Sequence, residues 1–112
     1  MSKHLDDLEV RSQAQREQAL SVALPAQVRQ AQQQSAALGR ILQGVDAAAV
    51  TSRQALARLP VTRKSELLEL QKASRPADPF GGFAAVLRGP QMPRIFASPG
   101  PIYEPDVASA DY

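Results

Sequence analysis

The prolines and aromatic residues of this 112-residue chain are distributed so unevenly that its two parts cannot share one architecture. Ahead of Pro60 stands a single proline, Pro25, and no Phe, Trp or Tyr; from Pro60 onward come eight of the nine prolines and all five aromatic residues. Proline has no backbone N–H and a fixed φ, so helix interiors and central strands largely exclude it. Residues 1–59 are therefore expected to be a helical region packed with Leu, Val, Ile and Ala. Residues 60–112 are expected to hold one short helix, turns and a short strand in an irregular Pro/Gly-rich segment.

Within the first part, Asp6, Asp7 and Glu9 crowd the start of a helix, where acids meet the positive end of its dipole. This helix is expected to run to about Ala23. Pro25 suits the first turn of a second helix, because the N–H it lacks has no partner there. In that helix Val28, Ala31, Ser35, Leu38 and Leu42 fall at spacings of 3, 4, 3 and 4, one apolar stripe with small residues in its middle. Small residues permit close approach, so the two helices are expected to form a hairpin, ended by Gly44. Thr51 and Gln54 have capping-box spacing for a short helix to Arg58, and Thr62 can cap another to about Lys72. The stripe has two readings, core packing or a surface for binding itself or a partner. Its two heptads are fewer than a coiled coil requires. Gln32-Gln33-Gln34 reads as a solvated helix face.

Composition narrows the chemistry. Thirteen basic and 11 acidic residues leave a formal charge of +2, too small and too evenly spread to indicate nucleic acid or an anionic membrane as partner. There is no cysteine, which excludes disulfides, thiolate metal sites and a thiol nucleophile. No run approaches the roughly 18 apolar residues of a membrane helix, and Met-Ser-Lys-His-Leu-Asp-Asp lacks the apolar core of a signal peptide; the expected location is cytoplasmic. His4 has no second histidine to share a metal with, and Asp6-Asp7-Glu9 is read as helix-start acids. Ser98 sits in Ala-Ser-Pro-Gly, not in the Gly-x-Ser-x-Gly of a serine hydrolase. Pro76-x-x-Pro79 beside Arg75 and Pro90-x-x-Pro93 beside Arg94 satisfy a minimal proline-helix pattern, and are read as loop punctuation.

Three motifs in the second part follow one another in an informative order. Leu59-Pro60-Val61-Thr62-Arg63-Lys64-Ser65-Glu66-Leu67-Leu68 is a proline-led entry into a short helix. Pro79-Phe80-Gly81-Gly82-Phe83 is a turn. Arg94-Ile95-Phe96-Ala97-Ser98-Pro99-Gly100-Pro101-Ile102-Tyr103-Glu104-Pro105 reads as a strand, Ile95 to Ala97, running into a small-residue loop of the kind that presents N–H groups to phosphate. Their order and spacing resemble the N-terminal part of the phenylacetate–CoA ligases, adenylate-forming (AMP-binding) enzymes, with Leu-Pro-x-Thr-x-Lys-x-x-Leu, Pro-Phe-Gly and a Ser-Ser-Gly-Thr-Thr-Gly-Lys-Pro phosphate loop. Leu8-Glu9-x-Arg11 and Arg16-Glu17 are similar to the family's N-terminal helix, so the resemblance spans about residues 5–105.

The resemblance implies a fragment, an incomplete domain of a larger α/β adenylate-forming fold, in which residues 94–105 stand at the phosphate loop. Family members use ATP and Mg to convert a carboxylic acid to acyl-AMP, then CoA to give acyl-CoA. For the 112-residue chain by itself no cofactor and no activity are expected, and its expected partner is the remainder of the enzyme or a second copy through exposed apolar helix faces. Ser98, Gly100 and Pro105 match the loop pattern; Pro99, Pro101, Ile102, Tyr103 and Glu104 do not. Pro99, Pro101 and Pro105 each delete an N–H, and Glu104 puts an anion where the family has lysine. Ser98 and Gly100 remain as the phosphate-loop-like donors. The residues also permit a small helical interaction module using the Val28–Leu42 stripe, or a truncated reading frame without present activity. Ala108 to Tyr112 reads as the opening of a further helix.

Overall fold

The computed structural model describes residues 3–108. These are mainly helical, with one two-stranded antiparallel sheet. In chain order they form α1 (Gln13–Gln34), α2 (Ala36–Ile41), a single 3₁₀ turn (Ala47–Ala49), α3 (Arg53–Ala57), α4 (Lys64–Ser74), β1 (Ile95–Ser98) and β2 (Ile102–Pro105). The chain divides into two compact units. One contains the residues up to Arg29 with Asp46–Arg58, and the other Gln30–Val45 with the described chain from Leu59 onward.

α1 starts later than the acids suggest. Asp6 instead accepts the N–H groups of Leu8 and Glu9 at 2.9 and 3.3 Å, and Glu9 accepts that of Leu5 at 3.0 Å, a local turn that competes with helix. The helix begins after Ser12, where a reciprocal capping box forms: Gln15 N–H donates to Ser12 Oγ at 3.2 Å and Ser12 N–H to Gln15 Oε1 at 2.8 Å. Ser12-x-x-Gln15 was the legible start signal.

The expected hairpin of two helices meeting at Pro25 does not form, because α1 runs straight through it. Proline itself adopts helical φ, and carrying it inside a helix leaves one carbonyl, that of Ser21, without its N–H partner. Ending the helix there would orphan several groups on each side. Ala23-Leu24-Pro25-Ala26 offers neither a capping side chain nor a glycine to receive them. The break comes at Ser35, whose backbone is extended (φ −115, ψ 118) and whose Oγ caps α2 by accepting from Leu38 N–H at 3.3 Å. The expected stripe is thus cut at its centre, although Val28, Ser35 and Leu42 are all buried.

In the first unit, Val28, Ala47 and Val50 are buried. Arg53 of α3 clamps Glu17 of α1 in a bidentate pair, Nη2 to Oε1 at 2.6 Å and Nε to Oε2 at 2.9 Å. α3 is capped by Ser52, one residue beyond the expected Thr51, with Oγ accepting from Ala55 N–H at 3.1 Å.

The second unit is built around Asp78-Pro79-Phe80-Gly81-Gly82. Both carboxylate oxygens of Asp78 hold the turn, accepting from Phe80 N–H at 3.0 Å and Gly82 N–H at 2.7 Å. Gly81 and Gly82 have positive φ (62 and 82), and each lies against a helix backbone. A Cβ on Gly81 would fall 2.9 Å from Gln71 N, and one on Gly82 3.2 Å from Ala37 N. Gly82 O accepts from Ala37 N–H and Ser35 Oγ, both at 2.9 Å. Phe80, Ala37, Leu42 and Ile102 supply the apolar core. Gln32, expected on a solvated face, is half-buried and donates to the carbonyls of Leu42 and Val45 at 3.1 and 2.9 Å. α4 begins after Arg63, not Thr62, with Glu66 reaching back to Arg63 N–H at 3.1 Å. The helix expected to open over Ala108 to Tyr112 lies, apart from Ala108, outside the described residues.

Candidate functional site

The segment that resembles a phosphate loop is a β-hairpin. Ile95, Phe96, Ala97 and Ser98 face Pro105, Glu104, Tyr103 and Ile102 in antiparallel register, so the single expected strand has a partner that proline and glutamate concealed. Pro105 is tolerated because its position needs no N–H toward β1. The register alternates, and the bonded pairs are those continuing from Asp106 N–H to Arg94 O at 2.8 Å.

What holds this hairpin to α4 is Gln71, a residue that is 1% exposed. Its amide accepts from Tyr103 N–H at 2.9 Å and donates to Tyr103 O at 2.9 Å, with a longer contact to Phe80 O at 3.4 Å. The side chain imitates a neighbouring strand, taking both outward backbone groups of Tyr103. Sequence reading passed over Gln71. Its signal was a polar residue on the same helix face as Leu67 and Leu68.

Ser98 and Gly100 lie at the hairpin turn. Ser98 is half-buried; Gly100 has φ 153, and a Cβ there would fall 3.1 Å from Leu68 Cδ1. Between the two prolines of Pro99-Gly100-Pro101, the turn offers one N–H, that of Gly100. Ser98 shares a cleft of about 370 Å³ with Thr62, Arg63, Lys64, Leu67, Ile102 and Glu104. The start of α4 forms one wall, bringing two cations and the positive end of an 11-residue helix toward the serine. Among the described residues Glu104 is the one acid in that lining, so their formal balance is positive. Thus Arg63 and Lys64 stand on the element facing Ser98.

A second cleft in this unit, also about 370 Å³, is lined by Arg75, Pro76, Pro79, Phe80, Ile95 and Tyr103. The Arg75 guanidinium lies 5.1 Å from the centre of the Tyr103 ring and donates to Pro101 O at 2.7 Å. The first Pro-x-x-Pro thus serves as packing in this wall. The second precedes Arg94, which pairs with Asp106 at 2.8 Å and lies over Phe96 at 5.7 Å.

The stripe residues do not gather into a presented surface. Val28, Ser35 and Leu42 are buried, Ala31 and Leu38 half-buried, and Ser35 spends its hydroxyl on Gly82. His4 lies 3.5 Å from Glu9. Among the described residues no three His, Cys, Asp or Glu side chains come together as a metal site, and no helix is long and apolar enough to cross a membrane. Compared with known protein families, curated proteins and solved structures, the chain matches none.

Proposed function

We propose that this chain is the N-terminal part of an acid–CoA ligase of the phenylacetate–CoA ligase type, and that the 112 residues alone are catalytically inactive. One observation carries the reading. Two motifs more than 30 residues apart in sequence, Thr62-Arg63-Lys64 and the hairpin residues Ser98, Ile102 and Glu104, line a single cleft. A proline-led helix entry and a hairpin turn have no local reason to meet, whereas a phosphate site needs a cationic wall opposite loop donors.

In that reading ATP, with Mg, supplies the activated phosphate, and CoA supplies the acceptor thiol; both belong to the complete protein. The residues present fit an anionic oxygen in part. In the cleft Ser98 Oγ is a donor, Arg63 and Lys64 offset negative charge, and Glu104 opposes it; Gly100 N–H lies on the adjoining turn, not in the lining. The acyl-binding surface would lie in the remainder of the enzyme, which is then this chain's natural partner. A stand-alone interaction module built on the Val28–Leu42 stripe gains less support, since three of its five residues are already buried within the chain.

The test starts from the native gene product: its intact mass, then carboxylate-dependent exchange of pyrophosphate into ATP. The reading expects a product well above 12.0 kDa that catalyses exchange with an aromatic carboxylate, and loses it on Arg63→Ala with Lys64→Ala. A native product of 12.0 kDa, or a longer one with no exchange, would sink it.

A further inference from the structure

The two edges of the hairpin are not equivalent, and the difference points to self-assembly. In an antiparallel pair, residues alternate between those bonded to the partner strand and those whose N–H and C=O point away. Tyr103 points away from β1, since Gln71 takes both its groups, and its opposite number is Ala97. Arg94 is on the bonded side, through Asp106 N–H. Phe96 and Ser98 are therefore bonded to β2, while Ile95 and Ala97 direct four backbone groups outward. Among the described residues of this unit, no side chain bonds the outward groups of Ile95 and Ala97 as Gln71 bonds those of Tyr103. Ile95 and Phe96 are each 52% exposed. Packing on α4 stabilises the hairpin without a third strand, but an open, apolar edge remains a template for pairing with another chain.

We propose that β1 pairs with β1 of a second copy, antiparallel and about a two-fold axis at Phe96. In this register Ile95 exchanges both bonds with Ala97 of the other copy, and Ala97 with its Ile95, so all four outward groups are used. The two Phe96 side chains then form a directly opposed aromatic pair, the closer, non-bonded kind. Arg94 faces a serine, Ser98 of the other copy, and its own charge is already paired with Asp106 at 2.8 Å, so no like charges meet. Pro93 and Pro99 lack the next outward N–H groups on either side, which limits the match to this short run. The product is a four-stranded sheet whose outer edges are both β2, each shut by Gln71. The assembly closes at a dimer instead of growing. So short a contact falls below the roughly 800 Å² per partner of a stable complex, so the dimer belongs to the weak, concentration-dependent class. This inference is independent of the ligase reading.

The test is sedimentation of the 112-residue chain from about 10 µM to about 1 mM, the range of weak contacts, with amide exchange followed residue by residue. The expected result is reversible dimerisation, with protection of the Ile95 and Ala97 amides rising with concentration and that of Phe96 constant. Phe96→Lys opposes two cations at the axis, while Glu104 across the hairpin favours the folded monomer; it should weaken dimerisation at least tenfold. Ala97→Pro removes only an outward N–H, a position where an edge strand accepts proline, and should do the same. A monomer throughout the range overturns the proposal. So does a dimer indifferent to both substitutions, which would place association on another face.

Discussion

Replacing Gln71 by leucine nearly preserves its volume while deleting every hydrogen bond it makes. The loss is two bonds of 2.9 Å to Tyr103 and one of 3.4 Å to Phe80 O. A net hydrogen bond is worth about 1 kcal/mol, and a buried group left unpaired costs about 1–3 kcal/mol. Tyr103 is half-buried, so water can reach part of its backbone and the lower end applies. The sum for Gln71→Leu is about 2–3 kcal/mol, reduced somewhat by leucine's favourable burial. That is a large share of the stability of a small protein. Urea unfolding followed by circular dichroism gives the total, and exchange of the Tyr103 amide shows whether the loss is local. Gln71→Glu separates the bonds from packing. Its carboxylate still accepts from Tyr103 N–H but faces two carbonyls, so burial and repulsion raise its folded pKa above the unfolded value. Stability should then be close to wild type below the ordinary carboxylate range, where a protonated oxygen can donate to Tyr103 O. It should fall as pH rises through the raised value. If Gln71→Leu stays within about 0.5 kcal/mol of wild type, the size of an ordinary surface substitution, the strand-mimic argument is wrong.

Other sites give sharper contrasts. Gly81→Ala combines positive φ with a Cβ 2.9 Å from a helix nitrogen, whereas Gly44→Ala shares the positive φ (80) but has no atom within 4 Å. Thermal unfolding should show about 1 kcal/mol lost at Gly44 and clearly more at Gly81; equal losses would mean that the turn yields to admit a methyl group. Pro25→Ala restores a helix N–H opposite Ser21 O and should raise stability, by up to about 3 kcal/mol, with increased helical signal; a lower melting temperature would instead reveal a packing role for the ring. Hydrogen bonding to Arg53 lowers the Glu17 pKa below its usual 4.5. Its stabilisation is therefore present above that usual value and lost as pH falls through the lowered one. Melting curves of wild type and Glu17→Gln should differ near neutrality and converge in acid; a constant gap would show that the pair contributes nothing through charge.

The two prolines at which the sequence reading went astray, Pro25 and Pro105, show what sequence could and could not reveal. Each was weighed locally, Pro25 as a first-turn residue whose missing N–H needs no partner and Pro105 as a donor lost from a loop. Pro25 loses one helix bond, less than the orphaned groups a break would create among Ala23, Leu24 and Ala26. Pro105 loses a bond that β2 does not make toward β1, and the strand survives. Helix content, the short α4 and the strand at Ile95 were legible because they follow from local pattern. So was the turn at Phe80-Gly81-Gly82, though only as a turn. The features that organise the second unit depend on contacts that pattern does not record. Ser35 was counted as a small stripe residue, yet its hydroxyl stops a helix and holds Gly82 O at 2.9 Å, 47 residues away. Gln71 meets Tyr103 across 32 residues. Each is a buried polar side chain that completes backbone groups of a distant segment, and each stands where periodicity expects an apolar or small residue. A polar residue at such a position is therefore evidence of a non-local backbone partner. Burial without one would cost more than the apolar replacement it displaced.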